Sequence, residues 1–135
     1  MDDVTDDVVG LFAAINRRYA DEAQAAAARH GLTAMQAKAL RAARTPVSMR
    51  RIAEVLHAEP PNVTPIVDRL AEYGLLERLP NPTDRRITLV AATDAGQAIA
   101  ADLIERMPFA SDPLAALTDG QRHTLRGLLK RVLEN

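Results

Sequence analysis

Apolar residues at Val4, Val8, Leu11, Phe12, Ile15 and Tyr19 step by three and four, which predicts one face of a helix. Asp2, Asp3, Asp6 and Asp7 crowd its start, where the helix dipole favours negative charge. The helix is expected to continue through the alanine-rich Ala20–Arg29 and to stop at Gly31, at about 25 residues a long one for a small domain. Its apolar strip has no local partner, so a second chain is a natural cover.

Thr33 and Gln36 have the spacing of a capping box and open a second helix that ends before Pro46. Ser48 caps a third, from Met49 to about His57, with Ile52, Ala53, Val55 and Leu56 inward. Glu59-Pro60-Pro61 starts a fourth, because proline is tolerated in a first helical turn. Val63, Ile66, Val67 and Leu70 form its buried stripe, and Gly74 ends it. Two strand-like runs, 75–79 and 86–90, then flank the turn-rich tip 80–85 and predict a β-hairpin. Thr93 caps a fifth helix with Ile99 and Leu103 inward, broken by Pro108. Residues 109–117 read as a connector. Thr118 and Gln121 repeat the capping-box spacing before a last helix carrying Leu125, Leu128, Leu129, Val132 and Leu133 on one face.

Composition limits what this framework can do. The 135 residues fit a single domain, 1–135, and include no cysteine, which excludes disulfide scaffolds, Cys-ligated zinc and thiol redox chemistry. The acidic N-terminus is unlike a signal peptide, and the longest apolar stretch is too short to span a bilayer, so a cytoplasmic protein without membrane contact is expected. A net charge of −1 speaks against nucleic acid until it is divided. Residues 1–37 carry −3, residues 38–90 carry +3 and residues 91–135 carry −1. Arginine outnumbers lysine 15 to 2, an excess that GC-rich codon usage accounts for, although arginine also suits phosphate and guanine.

Two helices joined by a tight turn and followed by a basic hairpin describe a winged helix-turn-helix. The fourth helix would lie in the major groove and the hairpin tip would reach the minor groove. The expected fold class is mainly α with a small β-hairpin wing, with N- and C-terminal helices for dimerisation.

The segments Asn62-Val-Thr-Pro-Ile-Val-Asp-Arg-Leu70, Gly74-Leu-Leu-Glu-Arg78, Asn81-Pro-Thr-Asp-Arg-Arg86 and Ala92-Thr-Asp-Ala-Gly96 resemble the multiple-antibiotic-resistance regulator (MarR) family of bacterial transcription factors. They match its recognition helix, its entry to the wing, its Asp-x-Arg wing motif and the start of its next helix. Ala92 stands where leucine is usual. The resemblance implies a homodimer on a pseudo-palindromic operator, most often a repressor. Residues 33–92 would form the DNA-binding lobe, and 1–31 and 94–135 the dimerisation helices, with Val8, Leu11, Phe12, Ile15, Leu125, Leu128, Leu129 and Val132 at the interface.

On the fourth helix the core positions leave Pro61, Asn62, Thr64, Pro65, Asp68 and Arg69 facing outward. Asn62 suits a bidentate contact to adenine and Thr64 a thymine methyl, although both residues also cap helices well. Arg69 suits a phosphate or plain solvent. Asp68 would be repelled by phosphate and is expected to pair with Arg78 or Arg86, bracing the hairpin. At the wing, Asp84 is expected to accept hydrogen bonds within the turn while Arg85 and Arg86 project. The resemblance assigns the minor-groove contact to Arg86, whereas strand alternation leaves either arginine outside. Ser48, Arg50 and Arg51 begin the third helix, where they suit phosphates.

Other chemistries find little support. His30, His57 and His123 lack metal-ligand spacing, so no metal is expected. No phosphate loop, nucleophile elbow or Cys–His pair points to an enzyme, and no cofactor is expected. The resemblance implies a small, commonly aromatic effector, although with only four aromatic residues Phe12 and Tyr19 fit interface packing better than a ligand wall. The recognition helix is similar to that of the family's peroxide-sensing branch, whose reactive cysteine this chain lacks. A winged-helix protein-interaction module and a winged-helix regulator of another family are the rival readings.

Overall fold

The computed structural model describes residues 1–134. In chain order the elements are α1 (Asp3–Ala28), α2 (Ala34–Ala42), β1 (Val47–Ser48), α3 (Met49–Leu56), α4 (Pro60–Glu72), β2 (Leu76–Pro80), β3 (Thr88–Ala92), α5 (Asp94–Glu105), α6 (Pro108–Ser111) and α7 (Asp119–Glu134). The protein is mainly helical with a small antiparallel sheet.

Local chemistry sets most helix starts. The Asp2 carboxylate accepts from the Thr5 amide at the head of α1. Thr33 and Gln36 form the expected capping box, with Gln36 N–H donating to Thr33 Oγ1 at 3.1 Å and Thr33 N–H to Gln36 Oε1 at 2.9 Å. Thr118 and Gln121 repeat it before α7 at 3.0 and 3.2 Å. Ser48 Oγ accepts from Arg51 N–H at the start of α3. Gly74 follows α4 with φ +74°, a left-handed conformation that costs glycine little. His57 takes the same region, at φ 51°, in the turn between α3 and α4.

Three elements differ from the sequence expectation. Residues 47–48 form a short strand, β1, against the centre of a sheet ordered β1-β3-β2. Val47 pairs with Val90 and Ser48 with Leu89. The second hairpin strand starts at Thr88 and not at residue 86, because Asp84 draws residues 84–87 into a turn. Ile87 N–H donates to the Asp84 carbonyl at 3.1 Å, and Arg86 N–H to the Asp84 carboxylate at 3.1 Å. The expected connector 109–117 overlaps helical α6, whose part-buried first amides are capped from far away. Phe109 and Ala110 N–H donate to the Glu22 carboxylate of α1 at 3.3 and 2.8 Å.

The core lies among α2, α3, α4, α5, the sheet and the C-terminal half of α1. Leu40, Ile52, Val63, Val67, Leu70, Val90, Leu103 and Met107 are its largest fully buried side chains. Complete burial of each is worth roughly 1.5–3 kcal/mol. The residues of α1 buried in this core are all small, Ala23, Ala26 and Ala27, and Tyr19 packs partly buried against it. The N-terminal half of α1 and all of α7 stand apart from it, and α7 buries no residue. Among the described residues no helix is long and apolar enough to cross a membrane.

Candidate nucleic-acid interface

α4 buries Val63, Val67 and Leu70 and half-buries Ile66, so the expected inward stripe is the observed one. Pro61, Asn62, Thr64, Pro65, Asp68 and Arg69 are all exposed on the remaining surface. Asp68 is bonded to Arg78 on β2, which resolves the choice between Arg78 and Arg86 and ties the hairpin to α4. Arg69 leans on its own helix: it meets Glu72 at 3.4 Å, and its guanidinium lies 6.0 Å from the centre of the Tyr73 ring.

At the wing tip Asp84 does more than close a turn. Its carboxylate accepts from Arg86 Nε at 3.1 Å and from a terminal guanidinium nitrogen at 3.2 Å. These charge-assisted bonds, helped by the Arg86 backbone amide, hold the Asp84 carboxyl below the usual carboxylate range. The Arg86 side chain stays 90% exposed although its aim is fixed. Arg85 is exposed and has no ion pair among the described residues. Free projection of both arginines therefore gives way to one held and one loose.

Ser48 spends its hydroxyl on capping α3 and is half-buried. Arg50 and Arg51 are exposed and share one acid, Glu54, at 3.8 and 3.2 Å. Sequence reasoning passed over Glu54, although its spacing of four and three from the two arginines was the available signal.

The next helix start anchors the wing from behind. Thr93 Oγ1 donates to the Gly74 carbonyl at 2.6 Å and accepts from Gly96 N–H at 3.1 Å, while Thr93 N–H donates to the Leu75 carbonyl at 3.0 Å. One threonine thus caps α5 and fastens the entry to β2.

Away from this face, His30 Nε2 lies 2.7 Å from Asp102 on α5, and Arg106 Nε lies 3.0 Å from both oxygens of that carboxylate. The hydrogen bond to His30 lowers the Asp102 pKa, partial desolvation opposes it, and Arg106 lowers it further. Among the described residues no three metal-ligating side chains are grouped to hold an ion.

The expected interface positions are exposed apolar residues in the single chain. Leu11, Ile15, Leu128 and Val132 are 59%, 49%, 52% and 61% exposed. Val8, Phe12 and Leu129 are less so but still exposed, and Leu125 is half-buried.

Residues 32–88, which hold α2, the sheet's first two strands, α3 and α4, match the MarR family. The multiple antibiotic resistance protein MarR of Salmonella typhimurium is 36% identical over 109 residues, covering 76% of this chain and 74% of that protein. The chain belongs to the MarR family. A crystal structure of an Escherichia coli MarR mutant complexed with operator DNA superimposes with a TM-score of 0.68 at 29% identity, over 98% of this chain and 99% of that one. CouR from Rhodococcus jostii RHA1, crystallised with p-coumaroyl-CoA, gives a TM-score of 0.79 at 25% identity, over 98% and 95%. The fold is therefore the MarR winged helix, with α3 and α4 as the helix-turn-helix and β2–β3 as the wing. MarR-family relatives are named as regulators and not as enzymes.

Proposed function

We propose that this MarR-family chain is a sequence-specific DNA-binding transcriptional regulator that acts as a homodimer on a pseudo-palindromic operator, usually to repress. The observation that carries the reading is the pairing of an exposed α4 face with a wing arginine already aimed by Asp84. In this reading Asn62 and Thr64 meet base edges in the major groove and Arg86 enters the minor groove. Arg50, Arg51 and Arg69 meet phosphates after exchanging their carboxylate partners, and Ser48 positions the start of α3. Pro61 and Pro65 lie on the same face, and Arg85 supplies further charge beside the wing.

Residues 33–92 would be the DNA-binding lobe, with 1–31 and 94–135 as the dimerisation helices. The support is the exposed apolar strip on α1 together with an α7 that buries nothing within its own chain. A two-fold dimer would space two recognition helices about one turn of DNA apart. Release by a small-molecule effector rests on the likeness to CouR, whose structure holds p-coumaroyl-CoA. Such a ligand acts only through different affinities for the DNA-competent and DNA-incompetent states.

Selection of bound sequences from a random duplex pool, followed by gel shifts over a salt series, tests the proposal. A two-fold-related consensus bound well above random DNA at moderate salt is the expected result. Recovery of no preferred sequence would leave the interaction-module reading in its place.

A further inference from the structure

The outer surface of α4 is unusual in what it withholds. Pro60 and Pro61 fill the first two helical positions, so two of the amides that a helix start normally offers to a phosphate are absent. The Asn62 amide is already donated to the Glu59 carbonyl at 2.9 Å. Glu59 itself, at the N-cap, makes no side-chain cap bond and adds a carboxylate to that end. This helix start is poorly suited to an anion.

The polar side chains farther along are engaged as well. Asp68 is held by Arg78, and Arg69 by Glu72 and the Tyr73 ring. Outside those pairs, the exposed surface of the first two turns consists of Pro60, Pro61, Pro65, Thr64 and the Asn62 carboxamide. Pro65 costs the helix its bond to the Pro61 carbonyl, since the missing amide is the one that would donate there. A helix-favouring residue would be more stable at that solvent-facing site, so folding does not account for the ring.

We propose that Pro61 and Pro65 are specificity-determining residues that read thymine C5-methyl groups in the major groove, with the Thr64 methyl beside them. This rests on the reading of α4 as the recognition helix and adds what that helix reads. Among base edges in the major groove, the thymine methyl is the apolar group, and a pyrrolidine ring is an apolar surface of matching size with no side-chain entropy to lose. Phosphate attraction then falls to the arginines of α3 and the wing and to Arg69 in the last turn of α4.

The test begins with the site selected from a random duplex pool and replaces each thymine in turn by uracil, which removes only the methyl group. Affinities are measured by fluorescence anisotropy at constant salt. In the unaltered protein, uracil at one or two thymines of each half-site should weaken binding about fourfold, the value of burying one methyl carbon. In the Pro61→Ala/Pro65→Ala variant the same replacements should change affinity less than twofold. Asn62→Ala should keep the uracil penalty while losing affinity overall. A flat uracil scan in the unaltered protein, or a penalty that survives in the double alanine variant, overturns the proposal. Failure to select any site counts against the DNA-binding reading itself, a distinct result.

Discussion

Gly96 on α5 faces the backbone carbonyl of Leu75 so closely that a Cβ at position 96 would lie 2.1 Å from the oxygen. The same carbonyl accepts from Thr93 N–H, so the approach belongs to the joint between α5 and the wing. Backbone on the opposing side cannot rotate away as a side chain could. Gly96→Ala should therefore destabilise the protein by about 1–3 kcal/mol, an overpacking cost. Urea denaturation reads the loss as a lower midpoint. An unchanged midpoint would mean that α5 and β2 slide apart freely.

The contrast between Asn62 and Arg86 separates reading from holding. Asn62→Ala should cost about 1–3 kcal/mol on the preferred site and little on random DNA. Arg86→Ala should weaken both duplexes and reduce the salt slope by about one. Equal losses on both DNAs for Asn62→Ala would remove its reading role. Asp84→Asn keeps the arginine but removes the charge that aims it, and should weaken binding less than Arg86→Ala.

The parts of this structure visible in the sequence are those whose cause is local. Thr33, Ser48, Thr93 and Thr118 each bond an amide three residues on, so four helix starts could be read from spacing alone. The α4 stripe at 63, 67 and 70 follows from helical periodicity in the same way. What escaped the sequence depends on distant partners. β1 exists because Val47 meets Val90, and α6 is capped by Glu22, some 87 positions away. The lock on Arg86 lay within reach of local reasoning, since Asp84 is only two residues off. The alternation rule for strands misled there, because residues 84–87 form a turn and have no strand geometry.

Dimerisation through α1 and α7 can be tested without disturbing the winged lobe. Leu128 is half exposed in the single chain and lies outside its core. Leu128→Asp should leave the monomer's thermal unfolding of the lobe intact while removing roughly 1.5–3 kcal/mol of apolar burial from each copy's side of the interface. Sedimentation should show a dimer for the unaltered protein and a shift toward monomer for the variant, with affinity for the two-fold site falling in parallel. A variant that sediments as the unaltered protein does would place the interface elsewhere.

Asp102 makes part of the protein's stability depend on acidic pH. Its carboxyl pKa in the folded chain lies below the ordinary value of 3.8, held there first by the hydrogen bond to His30 and then by Arg106. A depressed carboxylate binds fewer protons when folded than when unfolded. Its contribution is therefore complete above the ordinary value and is lost as pH falls through the lowered one. The side chain is about a third exposed, so water screens the pair and the effect is modest. Asp102→Asn keeps the shape and removes the charge. The unaltered protein should melt higher than this variant at pH 5–7, and the gap should narrow as pH falls below 3.8 toward the lowered pKa. A gap that stays constant down to about pH 2.5, well below the unfolded carboxylate range, would show that packing and not the Asp102 charge fastens α5 to the end of α1.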